Sequence, residues 1–165
     1  MFKHLPNQTH MKKLFYLLLL VPTFSIAQSE PDTLKYCIAD GHIGLGGYDP
    51  ISYFDENKAL LGNEEISLEY EHVTYYFFSD KNKAKFLLSP AKYLPAYGGW
   101  CSMTLAMGRA TTPKYDNFLI RNGQLYLFER TLSVNGRELW ERDPKANKAS
   151  AEKNYSKYVT TGNIN

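Results

Sequence analysis

No apolar stretch of this sequence is long enough to anchor it in a membrane. The candidate, Leu14 to Ile26, is 13 residues long and contains Pro22, whereas a helix needs about 20 residues to cross ~30 Å of hydrocarbon. No cysteine follows that run closely, which excludes the lipoprotein pattern. Internal repeats and low-complexity tracts are lacking as well. Histidine is scarce, with His42 and His72 the only two beyond residue 27. Cysteine is scarcer: Cys37 and Cys101 are the only two in the chain, and they leave room for one bridge.

What precedes residue 28 has the order of a secretory signal. Lys12 and Lys13 lead into the apolar run, and Ser25-Ile26-Ala27 supplies small residues for a peptidase. We therefore expect residues 1–27 to be a signal peptide cleaved after Ala27, with Met11 as the true start, and a periplasmic or secreted protein. Cleavage removes Lys3, Lys12 and Lys13 but no acid, so the net charge falls from +2 to about −1. With no basic stripe left, nucleic acid is not an expected partner. No stable membrane span is expected either. The remaining ~138 residues fit one domain with one modest core. In an oxidising compartment, Cys37 and Cys101 are candidates for a disulfide closing a loop of about 65 residues, worth ~4 kcal/mol in the chain-entropy account. Sequence does not show whether their Cα atoms approach within the ~7 Å a bridge needs.

Residues 28–46 read as an N-terminal tether and a first short strand. Gln28 to Thr33 is polar, "KYCI" is apolar, and "ADGHIGLGG" is glycine-rich. No helical pattern opens after those glycines, so a phosphate-binding loop is excluded by context. "YDPISYF" reads as turn plus strand. The alternation in "ISLEYEHVTYYFF" predicts a hairpin with His72 at its tip. Ser79 is placed to cap a helix through Leu88, and "SPAKYLPAY" allows one more turn with proline at its start. "GGWCSMTLAMG" predicts a short helix between glycines. "NFLIRNGQLYLFE" predicts a hairpin turning on Asn122-Gly123, the pair a type I′ turn requires. "GRELWERDP" predicts a helix stopped by Pro144. A last polar helix is expected from Ala146 to Tyr158 within a C-terminal segment, 144–165. The class is α+β, a small single domain of β-hairpins packed with short helices.

The segments "GYDPISYF", "YYFFSDKNKAKFLLSPAKYLPAYGGWC", "NFLIRNGQLYLF" and "LWERD", in this order over residues 47–143, resemble YHS-domain proteins, specifically their exported bacterial branch. The resemblance implies a compact fold related to the treble clef and a metal-binding role. Its ligand pattern, D-P-x-C followed by F-C-S-x-x-C, falls on Ser52, Phe78 and Asn82 here. None is a cysteine, and none replaces a thiolate toward zinc or copper(I). The fold can be inherited without the site.

Cys101 then remains the soft-ligand candidate, with Met103 and Met107 beyond it. Thiolate and thioether suit a soft transition metal such as copper(I). On a helix Met103 and Met107 share a face while Cys101 lies about 200° away from Met103. The competing readings are methionine as core filler, Cys101 as a buried structural thiol, and Cys101 as a nucleophile needing a base such as His42 or His72. Carboxylates such as Asp49 and Asp55 are ordinary solvated positions on this reading, and the tyrosines fill the core or line a pocket for an apolar or planar ligand. The expectation is a non-catalytic binding protein whose partner is a metal ion, a small ligand or another protein. The alternatives are a metal-free binding module and a thiol-dependent enzyme using Cys101.

Overall fold

The computed structural model describes residues 32–39 and 42–164; the expected signal peptide and most of the tether lie outside them. The elements in order are β1 (Ile38–Ala39), β2 (Ile43–Gly44), α1 (Pro50–Asp55), β3 (Asn63–Tyr70), β4 (Val73–Phe77), α2 (Asp80–Leu88), α3 (Pro90–Tyr93), α4 (Ser102–Ala106), β5 (Lys114–Arg121), β6 (Gln124–Phe128), α5 (Gly136–Arg142) and α6 (Pro144–Thr161). Short 3-10 turns occupy Leu45–Gly47 and Ala96–Gly99. This is a small α+β domain. Among the described residues, no helix is long and apolar enough to cross a membrane.

One sheet has the order β1-β2-β4-β3, with β2 parallel to β4 and the other pairs antiparallel. The second is the β5–β6 hairpin. Its turn has φ +53° at Asn122 and +75° at Gly123, as a type I′ turn demands. Period-two alternation gives β6 two buried faces. Leu125 and Leu127 join the core under the first sheet with Ile51, Tyr53, Phe77 and Phe86. Tyr126 and Phe128 join a second core with Leu105, Trp140 and Ala151. The hairpin is thus a wall between the four-stranded sheet with α1–α3 and the α4–α6 layer.

Helix starts follow local chemistry. Ser79 Oγ accepts from Asn82 N–H (3.2 Å) at α2, and Pro90 opens α3. Asn135 caps α5 by accepting from Arg137 N–H (3.1 Å). Pro144 stops α5 and also starts α6, whose cap is Asp143 accepting from Ala146 N–H (3.0 Å). α6 is longer than expected, and it belongs to the fold rather than trailing from it. Ala151 is fully buried, Asn154 Nδ2 donates to Leu105 O (2.7 Å), and Tyr155 OH donates to Lys35 O (2.9 Å).

One element departs from expectation. Pro50 to Phe54 form helix α1, not a strand. β-branched and aromatic residues favoured the strand reading, but Asp49 accepts from Ile51 N–H (2.7 Å) and Pro50 sits at the first helical position. A cap and a pre-set φ outweigh weak intrinsic propensity here.

Candidate functional site

The positions that the resemblance assigns to soft ligands meet in space around Asp49. This carboxylate is fully buried. Oδ1 caps α1, while Oδ2 accepts from Phe78 N–H (2.8 Å) and from Asn82 Nδ2 (2.6 Å). Ser52 Oγ donates to Asp49 O (2.8 Å) and accepts from Leu60 N–H (3.2 Å). The result is a structural knot of neutral donors on one carboxylate. A metal does not fit it: Ser52 and Asn82 already donate within the network, and neither supplies a thiolate. Among the described residues, no group of three or more His, Cys, Asp or Glu is placed to hold a metal ion.

Cys101 is the N-cap of α4. Its sulfur is buried (0 % exposed) and accepts from Glu129 N–H (3.1 Å) and Thr104 N–H (3.5 Å). Its amide donates to Thr111 O (3.0 Å). Around it, Thr104 and Thr111 share a hydroxyl contact of 2.8 Å, and Thr111 Oγ1 donates to Glu129 Oε2 (3.1 Å). The partners of this sulfur are backbone amides, not an imidazole. His72 pairs instead with Glu69 (3.6 Å) at the β3–β4 tip.

Cys37 lies in the same neighbourhood, with Sγ 3.8 Å from Thr112 Oγ1. Burial holds its thiol above the ordinary value. Hydrogen bonds to Thr112 and Tyr115 oppose that rise, and Cys101 adds to it. Both cysteines stand as free thiols. Close backbone approach brings the two segments together. Cys37 N–H donates to Gly98 O (2.9 Å), and a Cβ on Gly98 would meet Lys35 O at 1.8 Å with φ at +60°. Only glycine fits there. We expect a thiol reagent such as dithionitrobenzoate to find no reactive cysteine in the folded protein and two after denaturation. Zero thiols after denaturation without reductant would mean a Cys37–Cys101 bridge. Rapid native labelling would contradict the burial.

The methionines lie elsewhere. Met103 on α4 and Met107, its C-cap residue, line a pocket of about 350 Å³ bordered by the loop after β6 and by α5. Val134 and Leu139 complete its apolar wall, and Arg109 and Glu129 give it one cation and one anion. Met107 is 55 % exposed, so it is rim and not core filler, whereas Met103 packs against the second core. Cys101 does not itself line this pocket, although Thr104 and Glu129, whose amides donate to its sulfur, do. Of the three candidate ligands, Met103 and Met107 meet on one pocket wall. Arg109, Glu129, Val134 and Leu139 carried no local signal in the sequence, because they meet only when α5 folds back onto α4.

No protein-family model, no curated protein and no solved structure matches this chain.

Proposed function

We propose that this chain is an exported, non-catalytic binding module of YHS type, whose ligand site is the methionine-lined pocket between α4 and α5. The observation carrying the reading is that Met103, Met107, Val134 and Leu139 wall a single pocket holding one arginine and one glutamate. Such a pocket favours a small, mainly apolar molecule with one acidic or polar group directed at Arg109. The convergence of Ser52, Phe78 and Asn82 on Asp49 supports the YHS reading, since the resemblance requires those positions to be neighbours. Burial of Cys101 and its amide partners argue against a thiol-dependent enzyme.

A second reading has its own observation. Two thioethers on one wall could hold copper(I) without Cys101. One experiment separates the two. The anionic apolar probe anilinonaphthalene sulfonate and a copper(I)–bicinchoninate complex are titrated against the wild type, Met107→Glu, and the double variant Met103→Leu/Met107→Leu. For a metal-free apolar site, the leucine pair retains probe affinity within about twofold, because volume and apolarity are kept. Met107→Glu, which sets a carboxylate against the sulfonate, weakens the probe about tenfold or more. Copper transfer to wild type that is lost in the leucine pair would install the metal reading. Absence of saturable probe binding would remove the apolar-ligand reading.

A further inference from the structure

Residues 81–92 carry four lysines, Lys81, Lys83, Lys85 and Lys92, and no acid. Two leucines sit among them, Leu87 and Leu88, and they are 54 % and 84 % exposed. Exposed leucines scattered singly need no explanation, whereas adjacent ones rimmed by charge mark a contact surface.

Helix α2 turns the pair outward. Its inner face is fixed by Phe86, which is fully buried, and by Asn82, whose amide donates to Asp49 (2.6 Å). At about 100° per residue, Leu88 lies about 160° round the helix from Phe86. Ala84 and Lys81 stand one and two turns before Leu88 on the same outer line, and both are exposed. Just beyond Leu88 the chain leaves helical geometry at Ser89, and Pro90 starts α3. The leucines therefore tip a corner between two helices. They protrude rather than line a cleft: neither borders the methionine pocket or the three other cavities of about 310–440 Å³.

The cations around this corner are only partly neutralised. Lys85 Nζ pairs with Asp55 (2.5 Å) and stands 5.9 Å from the centre of the Tyr93 ring. Lys92 Nζ stands 5.2 Å from the same ring, so Tyr93 gathers two ammonium groups at the α2–α3 junction. Lys81 and Lys83 make no ion pair among the described residues. By helical spacing Lys83 flanks Leu87 and Lys85 flanks Leu88. The acid of α2, Asp80, sits at the opposite end of the helix from the leucines.

We propose that the α2–α3 corner docks this protein on an anionic phospholipid surface. Leu87 and Leu88 enter the boundary between headgroups and acyl chains, and Lys81, Lys83 and Lys92 meet lipid phosphates. Charge selects an anionic surface, because residues 81–92 present lysines and no acid. Shape selects lipid over protein, since a protruding apolar corner fits a deformable layer better than a rigid partner. No residue of the methionine pocket takes part, so the docking goes beyond the function proposed above and does not rest on it.

The test is co-sedimentation of the full chain with phosphatidylcholine vesicles, with and without about one third phosphatidylglycerol. Leu14 to Ile26 is common to every variant, so differences between variants report on α2. Wild type is expected to bind the anionic vesicles about tenfold or more above the neutral ones, and to release as salt rises from about 0.05 to 0.5 M. Lys81→Glu/Lys83→Glu should weaken that binding about tenfold or more, and Leu87→Ser/Leu88→Ser about fivefold or more. Thermal stability should hold in both, because none of the four side chains is buried. An environment-sensitive thiol dye on Ala84→Cys gives a local readout, since Cys37 and Cys101 are buried. It should brighten on anionic vesicles, while the same dye on Ser133→Cys, in the loop after β6, stays unchanged. Equal binding to the two vesicle types, no brightening at residue 84, or unchanged binding by either variant pair overturns the proposal. So does binding to polyglutamate that the leucine pair weakens while vesicles stay unbound, which would give the corner to an acidic protein.

Discussion

Asp49→Ala is expected to destabilise the fold by about 3–4 kcal/mol, a large share of the 5–15 kcal/mol typical of a domain. The substitution removes the acceptor for three donors at once: Ile51 N–H, Phe78 N–H and Asn82 Nδ2. The first is the cap of α1, worth about 1 kcal/mol alone. The other two tie α1 to the β4–α2 junction, where Ser79 opens the next helix. Phe78 and Asn82 are not fully enclosed, so water recovers part of their loss, which keeps the figure below ~3 kcal/mol per group. Asp49→Asn should fall between the two, because an amide offers one acceptor oxygen to three donors. Urea melts of the three proteins decide this. A loss below about 1 kcal/mol in the alanine variant would mean that the carboxylate is dispensable and the knot incidental. Two of these donors, Phe78 and Asn82, occupy positions where the resemblance to YHS domains would put thiolate ligands.

Phe86→Ala is expected to cost about 3–5 kcal/mol, the range for emptying a large aromatic site in a core. Phe86 is fully buried, and four rings surround it. Centroids of Tyr75 and Phe77 are both 5.3 Å away, with Tyr70 at 5.9 Å and Tyr93 at 6.5 Å. Those rings come from β3, β4 and α3, so the side chain of one short helix joins three other elements. Phe86→Leu keeps most of the volume and should cost about 1–2 kcal/mol. Equal losses for the two variants would show that shape and not volume governs the site. A loss under about 1 kcal/mol for alanine would show that the surrounding rings collapse into the space. Because Asp49 and Phe86 both act through α2, the double variant need not be additive.

Much of the local structure was legible in the residues themselves. Ser79 before a helical run, Pro90 at a first helical position and Asn122-Gly123 between apolar runs each act within four residues, so reading them needs no tertiary context. The same holds for the period-two pattern of β3, β4 and β6. α1 was misread because its aromatic and β-branched residues pointed one way while Asp49-Pro50, a cap and a preset φ, pointed the other. Whether Met107 is ligand, filler or rim is not legible locally, because a sequence shows that a side chain is apolar and not whether anything covers it.

The sequence by itself determined the class, most of the element order and the starts of α2 and α3, because caps, turns and periodicity are short-range and written in neighbouring residues. Tertiary structure alone decided the rest. It gave β6 two buried faces, put Asp49 under donors that lie 29 and 33 residues ahead, turned Cys101 inward onto amides, and left Met107 on the rim of a pocket that Met103 lines from the core side. Those outcomes depend on how remote segments close on each other, and a local preference worth a few tenths of a kcal/mol carries no record of that closure.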